Sequence, residues 1–484
     1  MSFVISAHPV NMNNQSNHRT FHVTPPSQHN IMTTIEEQRK IVDATCKKYR
    51  SLPWIPLSQM QKASSRDRPA KGAVWISRAV FPSPPENDLR DALYHICEHL
   101  KEPHHTITPA IETPLLDVRL EFVGNRAGAD AKAAEPDIPE VDKLKALENE
   151  CENDFTILFV HGGGLYFSCP AEYRSATSRL ARLTKARVAS FAYRLTPQST
   201  FPGPLLDILI GYVSLLYPPP GSTHSAVPAN HIVLAGNSAG ANLCLALTKF
   251  LLEHEKNPLK KTLLFHGREI ALPLPAGLAM CSGWADPCDV MPSWRDPNAD
   301  DILGILQPAL LPGHPTDKIW PSNPPREHLY CSAAMLDHEL VSPAAVRDWT
   351  GAPPMWFALG SRERGVDGNR VVASQAARCG VNVQWIEYEN MPHEFMVILG
   401  ALPQSKHCFE KWSKVCKEFA AGKTGKSQAL RFKMPDCAEV ENLGDIADIS
   451  PLSFEEVRRR MRKANSERPI WTGGSESSKC KAMI

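Results

Sequence analysis

A serine between small residues, Gly236-Asn237-Ser238-Ala239-Gly240, stands where the apolar run HIVLA gives way to a helix-like run. A serine hydroxyl can attack a carbonyl when a sharp strand-to-helix turn lifts it clear of the backbone, and small neighbours allow that turn. The same residues also read as a glycine-bounded helix cap, since serine is a favoured N-cap. The pattern is common by chance, so its place between a strand and a helix carries the argument. Upstream, His161-Gly162-Gly163-Gly164 closes the run FTILFV. Glycines let backbone N–H groups approach a substrate oxygen, and those of Gly163 and Gly164, with that of Ala239, are candidates to hold an oxyanion. A phosphate-binding loop also uses glycines, but the Lys-Ser/Thr pair that completes one is absent.

A nucleophilic serine needs a base, and the base needs a carboxylate to orient it. Of 18 histidines, His393 in NMPHEFM follows a strand-like run, VQWIEYE, where a loop would present it. Glu363 in GSRERGVDG follows another, PMWFALG, and Asp367 is the alternative acid four residues on. Either carboxylate also reads as a solvent-facing loop charge. The chain order Ser238, Glu363, His393 is the order of a strand–helix hydrolase.

The elements that must position these groups alternate regularly. Residues 155–160, 186–194, 231–236, 278–282, 354–360 and 381–389 read as strands. Helices are expected over 172–185 and 204–217, from Ser238 onward, after Asp367 and after Gln404. Apolar strands alternating with helices argue an α/β fold with a mostly parallel sheet covered on both faces. Residues 1–30 are polar and expected to be disordered. Residues 31–114 read as a helical cap region, with a Thr34/Glu37 capping box and an amphipathic helix over 87–100. The catalytic domain is expected over 115–421. Within it, a polar stretch over 125–153 reads as a solvated loop with one exposed helix. A proline-rich insertion over 283–349, carrying Trp284, Trp294 and Trp320, has no α/β rhythm and reads as a lid or binding wall. Residues 422–484 read as a charged tail with a short helix capped by Ser453, in which Glu455 and Glu456 pair with Arg459 and Arg460.

Composition narrows the classes. The 484 residues are 43% hydrophobic and carry 53 basic against 52 acidic groups, a formal net charge of +1. That balance provides no field for nucleic acid. The 13 cysteines form no CxxC pair, which fits reduced thiols in the cytoplasm. The opening residues lack a basic stretch followed by a long apolar run, so no secretory signal is expected, and with no run of about 18 apolar residues no bilayer-spanning helix is expected either.

With these motifs in place, the sequence resembles the hormone-sensitive-lipase-like branch of the α/β-hydrolases. The match extends to Tyr193-Arg194-Leu195-Thr196-Pro197, Phe201-Pro202, Asp207 and Pro353-Pro354, and covers about 115–420. The resemblance implies an eight-stranded sheet under a helical cap and cofactor-free carboxylic ester hydrolysis. It assigns Ser238, Glu363 and His393 as the triad, with Gly162, Gly163, Gly164 and Ala239 at the oxyanion hole. Trp284, at the start of the insertion, is a candidate for the substrate pocket. Members often carry Asp before the serine, where this chain has Asn237, and an Asp as the acid, where it has Glu363. The expected substrate is a small hydrophobic ester, with specialised-metabolite and sterol esters both open. Acyl transfer, formamide cleavage and a non-catalytic binding protein are the alternatives. His95-Ile96-Cys97-Glu98-His99 matches an inverted zinc-peptidase pattern, but on the polar side of its helix, where a solvated face explains it. No metal is expected. The basic run Arg458–Lys463 reads mainly as a solvated helix face, with peripheral contact to anionic lipid as its other reading.

Overall fold

The computed structural model describes residues 34–107, 113–257, 262–304 and 307–473. The expectation of disorder over residues 1–30 lies outside the described residues. Ten strands form one sheet: β1 (Val74–Phe81), β2 (Val118–Asn125), β3 (Thr156–Val160), β4 (Arg187–Ala192), β5 (Ile232–Ser238), β8 (Gly277–Gly283), β9 (Met355–Gly360), β10 (Val383–Tyr388), β11 (Gln428–Phe432) and β12 (Val440–Asn442). A separate hairpin pairs β6 (Leu263–Phe265) with β7 (Arg268–Ile270). The sheet order is β1-β2-β4-β3-β5-β8-β9-β10-β11-β12. Its interior, from β4 through β11, is parallel, while β1, β2 and β12 run antiparallel to their neighbours.

The helices are α1 (Ile35–Arg50), α2 (Leu57–Ser64), α3 (Asp88–His99), α4 (Glu140–Asn149), α5 (Arg174–Thr184), α6 (Gly203–Leu216), α7 (Ala239–Lys256), α8 (Pro292–Arg295), α9 (Val366–Arg378), α10 (Phe395–Ile398), α11 (Pro403–Ala420) and α12 (Phe454–Glu467). Strand β3 shows why the sheet strands read as unbroken apolar runs. Leu158 and Val160 join a core shared with α3, α6, α7 and α9, while Ile157 and Phe159 face a core shared with α5, α11 and Val42 and Cys46 of α1. Both faces are covered, so no position is left to be polar. Each side chain fully buried there contributes about 1.5–3 kcal/mol.

The α/β fold with a mostly parallel sheet and helices on both faces is as expected, but the sheet has ten strands instead of eight. The reading of 31–114 as a helical cap is corrected in two ways. It contains β1, which pairs along its whole length with β2. Helix α3 packs Leu89, Leu93 and Ile96 into the main core and so covers the sheet. Residues 422–484 are more than a tail with one helix, because β11 lies parallel beside β10 and β12 pairs with β11. Their part-exposed positions, Arg431 and Glu441 among them, hide the strand pattern; a charge on the outer strand resists pairing with other chains. Helix α4, expected to be exposed, buries Leu144 and Leu147. Gly124 gives it room, since a Cβ there would lie 2.3 Å from Leu147.

Among its described residues the insertion over 283–349 has only α8 and isolated 3₁₀ turns, and Trp284, Trp294 and Trp320 within it are buried. Helix α12 locks onto this insertion. Arg458 is buried, donates to the Asp337 backbone oxygen at 2.6 Å and pairs with Glu102. The basic run is therefore not wholly a solvated face. Within α12, Glu456 pairs with both Arg459 and Arg460 at 2.7 Å, whereas Glu455 reaches Arg347 at 2.9 Å. No helix among the described residues is long and apolar enough to cross a membrane.

Candidate active site

The serine turn is built by close contact. Ser238 ends β5 and precedes α7 with φ 52° and ψ −124°, a strained conformation for a side chain with a Cβ. Its flanking glycines are needed for space: a Cβ on Gly240 would lie 2.0 Å from the Val160 backbone oxygen, and one on Gly236 2.9 Å from the same atom. The Trp284 N–H donates to the Ser238 carbonyl at 3.1 Å and pins the turn to the end of β8.

His393 lies in the loop after β10, and its Nε2 is 3.0 Å from Ser238 Oγ. Its Nδ1 is 2.9 Å from Glu363 Oε2. Glu363 follows β9 and is fully buried, its Oε1 accepting from the Gly360 N–H at 2.6 Å and from Ser282 Oγ at 2.7 Å. Burial raises the Glu363 carboxyl above its ordinary range, against the pull of His393. Burial also opposes the charged imidazole of His393. The hydrogen bond and charge of Glu363, with Glu394 and Asp301 behind it, outweigh burial and raise the histidine to about 9.

Asp367 does not approach His393. It begins α9, accepts from the Ser293 N–H at 2.8 Å and pairs with Arg370 at 2.9 Å. Gly162, Gly163 and Gly164 follow β3, with φ of 106° and 57° at the last two. A Cβ on Gly163 would lie 2.2 Å from the Phe167 backbone oxygen, so only glycine fits. The N–H groups of Gly163 and Gly164 meet no protein acceptor among the described residues. The Ala239 N–H lies in the first turn of α7, where helix amides lack intrahelical partners. His161 is buried, stacks on Tyr193 at 4.3 Å and is lowered to about 4 by burial, which keeps it neutral. The Trp284 indole is buried in the core and donates to Asp289 at 3.4 Å, so its backbone is the part that touches the serine turn.

Several residues around the site carry no local signal in the sequence. Asp301, from the insertion, accepts from the backbone N–H of both His393, at 2.8 Å, and Arg364, at 2.9 Å. Helix α1 reaches the same loops: Arg50 donates to the Asp301 backbone oxygen at 2.8 Å, and Asp43 takes Arg362 at 2.7 Å. Ser282, at the end of β8, donates to Glu363 and accepts from the Glu394 N–H at 3.0 Å. These partners come from segments far apart in sequence.

The donor atoms of His104, His105 and Asp337 lie within 4.8 Å of one another, a spacing that could suit a metal. The details argue otherwise. His105 Nδ1 accepts from the Glu102 N–H at 3.0 Å, which places the ring proton on Nε2, facing Asp337. Asp337 also accepts from Asn465 and lies 3.7 Å from Arg458. The cluster is satisfied as an ion-pair network. His95, Glu98 and His99 are exposed on α3 and do not converge.

A family model described as the alpha/beta hydrolase fold matches residues 157–397, the stretch that holds every group above from the glycine run to the histidine. The chain has the α/β-hydrolase fold. It is similar to an acetyl-hydrolase of Streptomyces hygroscopicus, 29% identical over 53% of this chain and 73% of that protein. It is also similar to an esterase of Acinetobacter venetianus, 24% identical over 52% of this chain and 70% of that one. Among solved structures, the esterase EstE5 soaked with p-nitrophenyl butyrate matches 80% of this α/β-hydrolase and 98% of its own chain, with TM-score 0.53 at 19% identity. An esterase from the bacterial hormone-sensitive lipase family covers 79% and 98%, with TM-score 0.51 at 18% identity. These neighbours agree with the fold that the resemblance implies.

Proposed function

We propose that this α/β-hydrolase cleaves small, hydrophobic carboxylic esters by a serine mechanism through Ser238, His393 and Glu363. That it is a carboxylic ester hydrolase is supported by the matching fold and by relatives named esterase and acetyl-hydrolase. The observation that carries the mechanism is the hydrogen-bonded line from Glu363 Oε2 through the His393 ring to Ser238 Oγ, at 2.9 and 3.0 Å. His393 Nε2 takes the serine proton as Oγ attacks the ester carbonyl. The carbonyl oxygen gathers negative charge and is held by the N–H groups of Gly163, Gly164 and Ala239. His393 then protonates the leaving alcohol, and the acyl group stays on Ser238. A water deprotonated by His393 attacks the acyl-enzyme and releases the acid. Glu363 keeps the Nδ1 proton in place and stabilises the imidazolium. The insertion over 283–349 serves as the wall of the acyl and alcohol pocket, with Trp284 at its root.

The relative named acetyl-hydrolase supports a short acyl group. All twelve described cysteines are free thiols, which supports a cytoplasmic setting. The test is hydrolysis of p-nitrophenyl esters from acetate to palmitate. Wild type should prefer the short end, and Ser238→Ala and His393→Ala should each lower kcat by about 10⁴-fold or more. Folded wild type that cleaves none of the series, or a Ser238→Ala protein that keeps its rate, would overturn the mechanism.

A further inference from the structure

We propose that Glu394, the residue after His393, is a positioning residue whose buried carboxylate ties the serine turn to the base loop and acts as a second negative charge on His393. This rests on the reading of His393 as the base. Glu394 Oε1 accepts from Asn237 Nδ2 at 2.5 Å and from the Tyr173 hydroxyl at 3.0 Å. Asn237 is the residue before Ser238. Gly162, first of the oxyanion glycines, completes the enclosure. A Cβ there would meet the Tyr173 hydroxyl at 2.6 Å, Glu394 Oε1 at 2.7 Å and Ser238 Cβ at 3.1 Å. The Glu394 N–H is held by Ser282 Oγ, the hydroxyl that also donates to Glu363. One carboxylate therefore touches the serine turn and the turn before α5 and abuts the oxyanion loop, while the backbone N–H of the same residue shares the Ser282 hydroxyl with the acid.

Two features suggest that the carboxylate is there for its charge. Glu394 has φ 54°, a left-handed conformation that glycine adopts without strain and glutamate does not. Burial raises its carboxyl above the ordinary range, and what works against burial is the charge of His393 together with the hydrogen bonds donated by Tyr173 and Asn237, so the site is furnished to hold the anion. The groups that face it are Tyr173, from the turn before α5, Tyr193 after β4, Tyr49 of α1, and His393. Glu363 and Asp301 face His393 from its other sides. His393 is thus the one group facing Glu394 that becomes a cation during turnover, and the carboxylate favours its charged form. The arrangement also accounts for Asn237. A carboxylate at that position would stand against Glu394 in a buried site, where two like charges cannot both persist. The amide instead donates, and the negative charge sits on the base loop.

The experiment compares wild type, Glu394→Gln, Asn237→Asp and the double exchange, which moves the carboxylate back beside the serine. The midpoint at which kcat/KM for p-nitrophenyl acetate rises with pH reports deprotonation of His393. NMR titration of the His393 ring in a Ser238→Ala background reports the same group without turnover. Glu394→Gln should lower both midpoints by about half to one pH unit, since a charge that favoured the imidazolium is gone. Asn237→Asp alone should lower kcat/KM by about tenfold or more, and Glu394→Gln in that background should restore most of the loss. Equal midpoints in wild type and Glu394→Gln would overturn the proposal, as would a double exchange no better than Asn237→Asp. Because the titration needs no ester, a protein that cleaves nothing would refute the hydrolytic mechanism while the His393 midpoint still decides the role of Glu394.

Discussion

Replacing Glu363 by glutamine tests the acid, and the structure fixes which way the amide must face. The carboxylate accepts at both oxygens, Oε1 from Gly360 N–H and Ser282 Oγ, and Oε2 from His393 Nδ1. An amide nitrogen at the Oε1 place would set a donor against the Gly360 N–H, which has no freedom to turn away. Leaving such a buried donor unpaired costs about 1–3 kcal/mol. The nitrogen therefore goes to the Oε2 place, where it donates to His393 Nδ1. The imidazole proton then shifts to Nε2 and points at Ser238 Oγ, so the lone pair that should take the serine proton is lost. An amide that inverts the tautomer in this way lowers turnover by about 10⁴-fold, or roughly 5.4 kcal/mol of transition-state stabilisation. Steady-state hydrolysis of p-nitrophenyl acetate would measure it, beside a thermal melt to show that the fold is intact. Asp367→Asn is the control. That side chain is tied to Arg370 and the Ser293 N–H, and its loss should change kcat by less than tenfold. A Glu363→Gln enzyme within tenfold of wild type, with Asp367→Asn inactive, would refute the reasoning.

Three further outcomes follow from the packing. Gly240→Ala places a Cβ about 2.0 Å from the Val160 backbone oxygen, so β3 and α7 must separate; activity should fall at least 100-fold, and the melting temperature should drop. Arg458→Ala leaves Asp337 buried with a cation removed and should lower unfolding free energy by roughly 3 kcal/mol in urea, whereas Arg459→Ala, on the solvent side, should barely move the midpoint. Burial opposes the Asp337 charge, but His105, His104 and Arg458 outweigh it and hold the carboxyl well below its usual range. Its folded proton affinity is thus lower than its unfolded one, so its contribution is present above about pH 4 and lost as pH falls. Between pH 5 and 2, wild type should lose stability more steeply than Asp337→Asn in denaturation curves taken at each pH.

The residues proposed to carry the chemistry are legible in part because local geometry demands particular residue types. Glycine at 163 and 240 is enforced by backbone oxygens closer than a side chain allows, so the motif is a record of sterics. The interior strands were legible because burial on both faces leaves unbroken apolar runs. Strand β1 escapes the reading because buried and part-exposed residues mix along it without a regular alternation, and β11 and β12 because they are short and carry charge or exposed positions. Asp301, Ser282 and Asp43 were invisible for another reason. Each acts on a loop brought to it by the fold, and no spacing in the sequence encodes that meeting. Glu394 was in plain view beside His393, but its partners, Asn237 and Tyr173, come from two other loops.

Helix α1 grips the loops that carry Glu363 and His393 through Asp43, Arg50 and Asp301, although it lies more than 200 residues upstream of both. Its first turn is exposed, and only Gln38, Val42 and Cys46 bury against the body. A protease nicking the chain just after α1 would cut a tether while leaving the sheet whole. Such a cut would be expected to lower turnover first, because the loops of Glu363 and His393 would lose the hold of Asp43 and Arg50 while the strand pairing of the sheet stays in place. Preparations that look well folded yet vary in specific activity would be expected wherever that segment has been clipped.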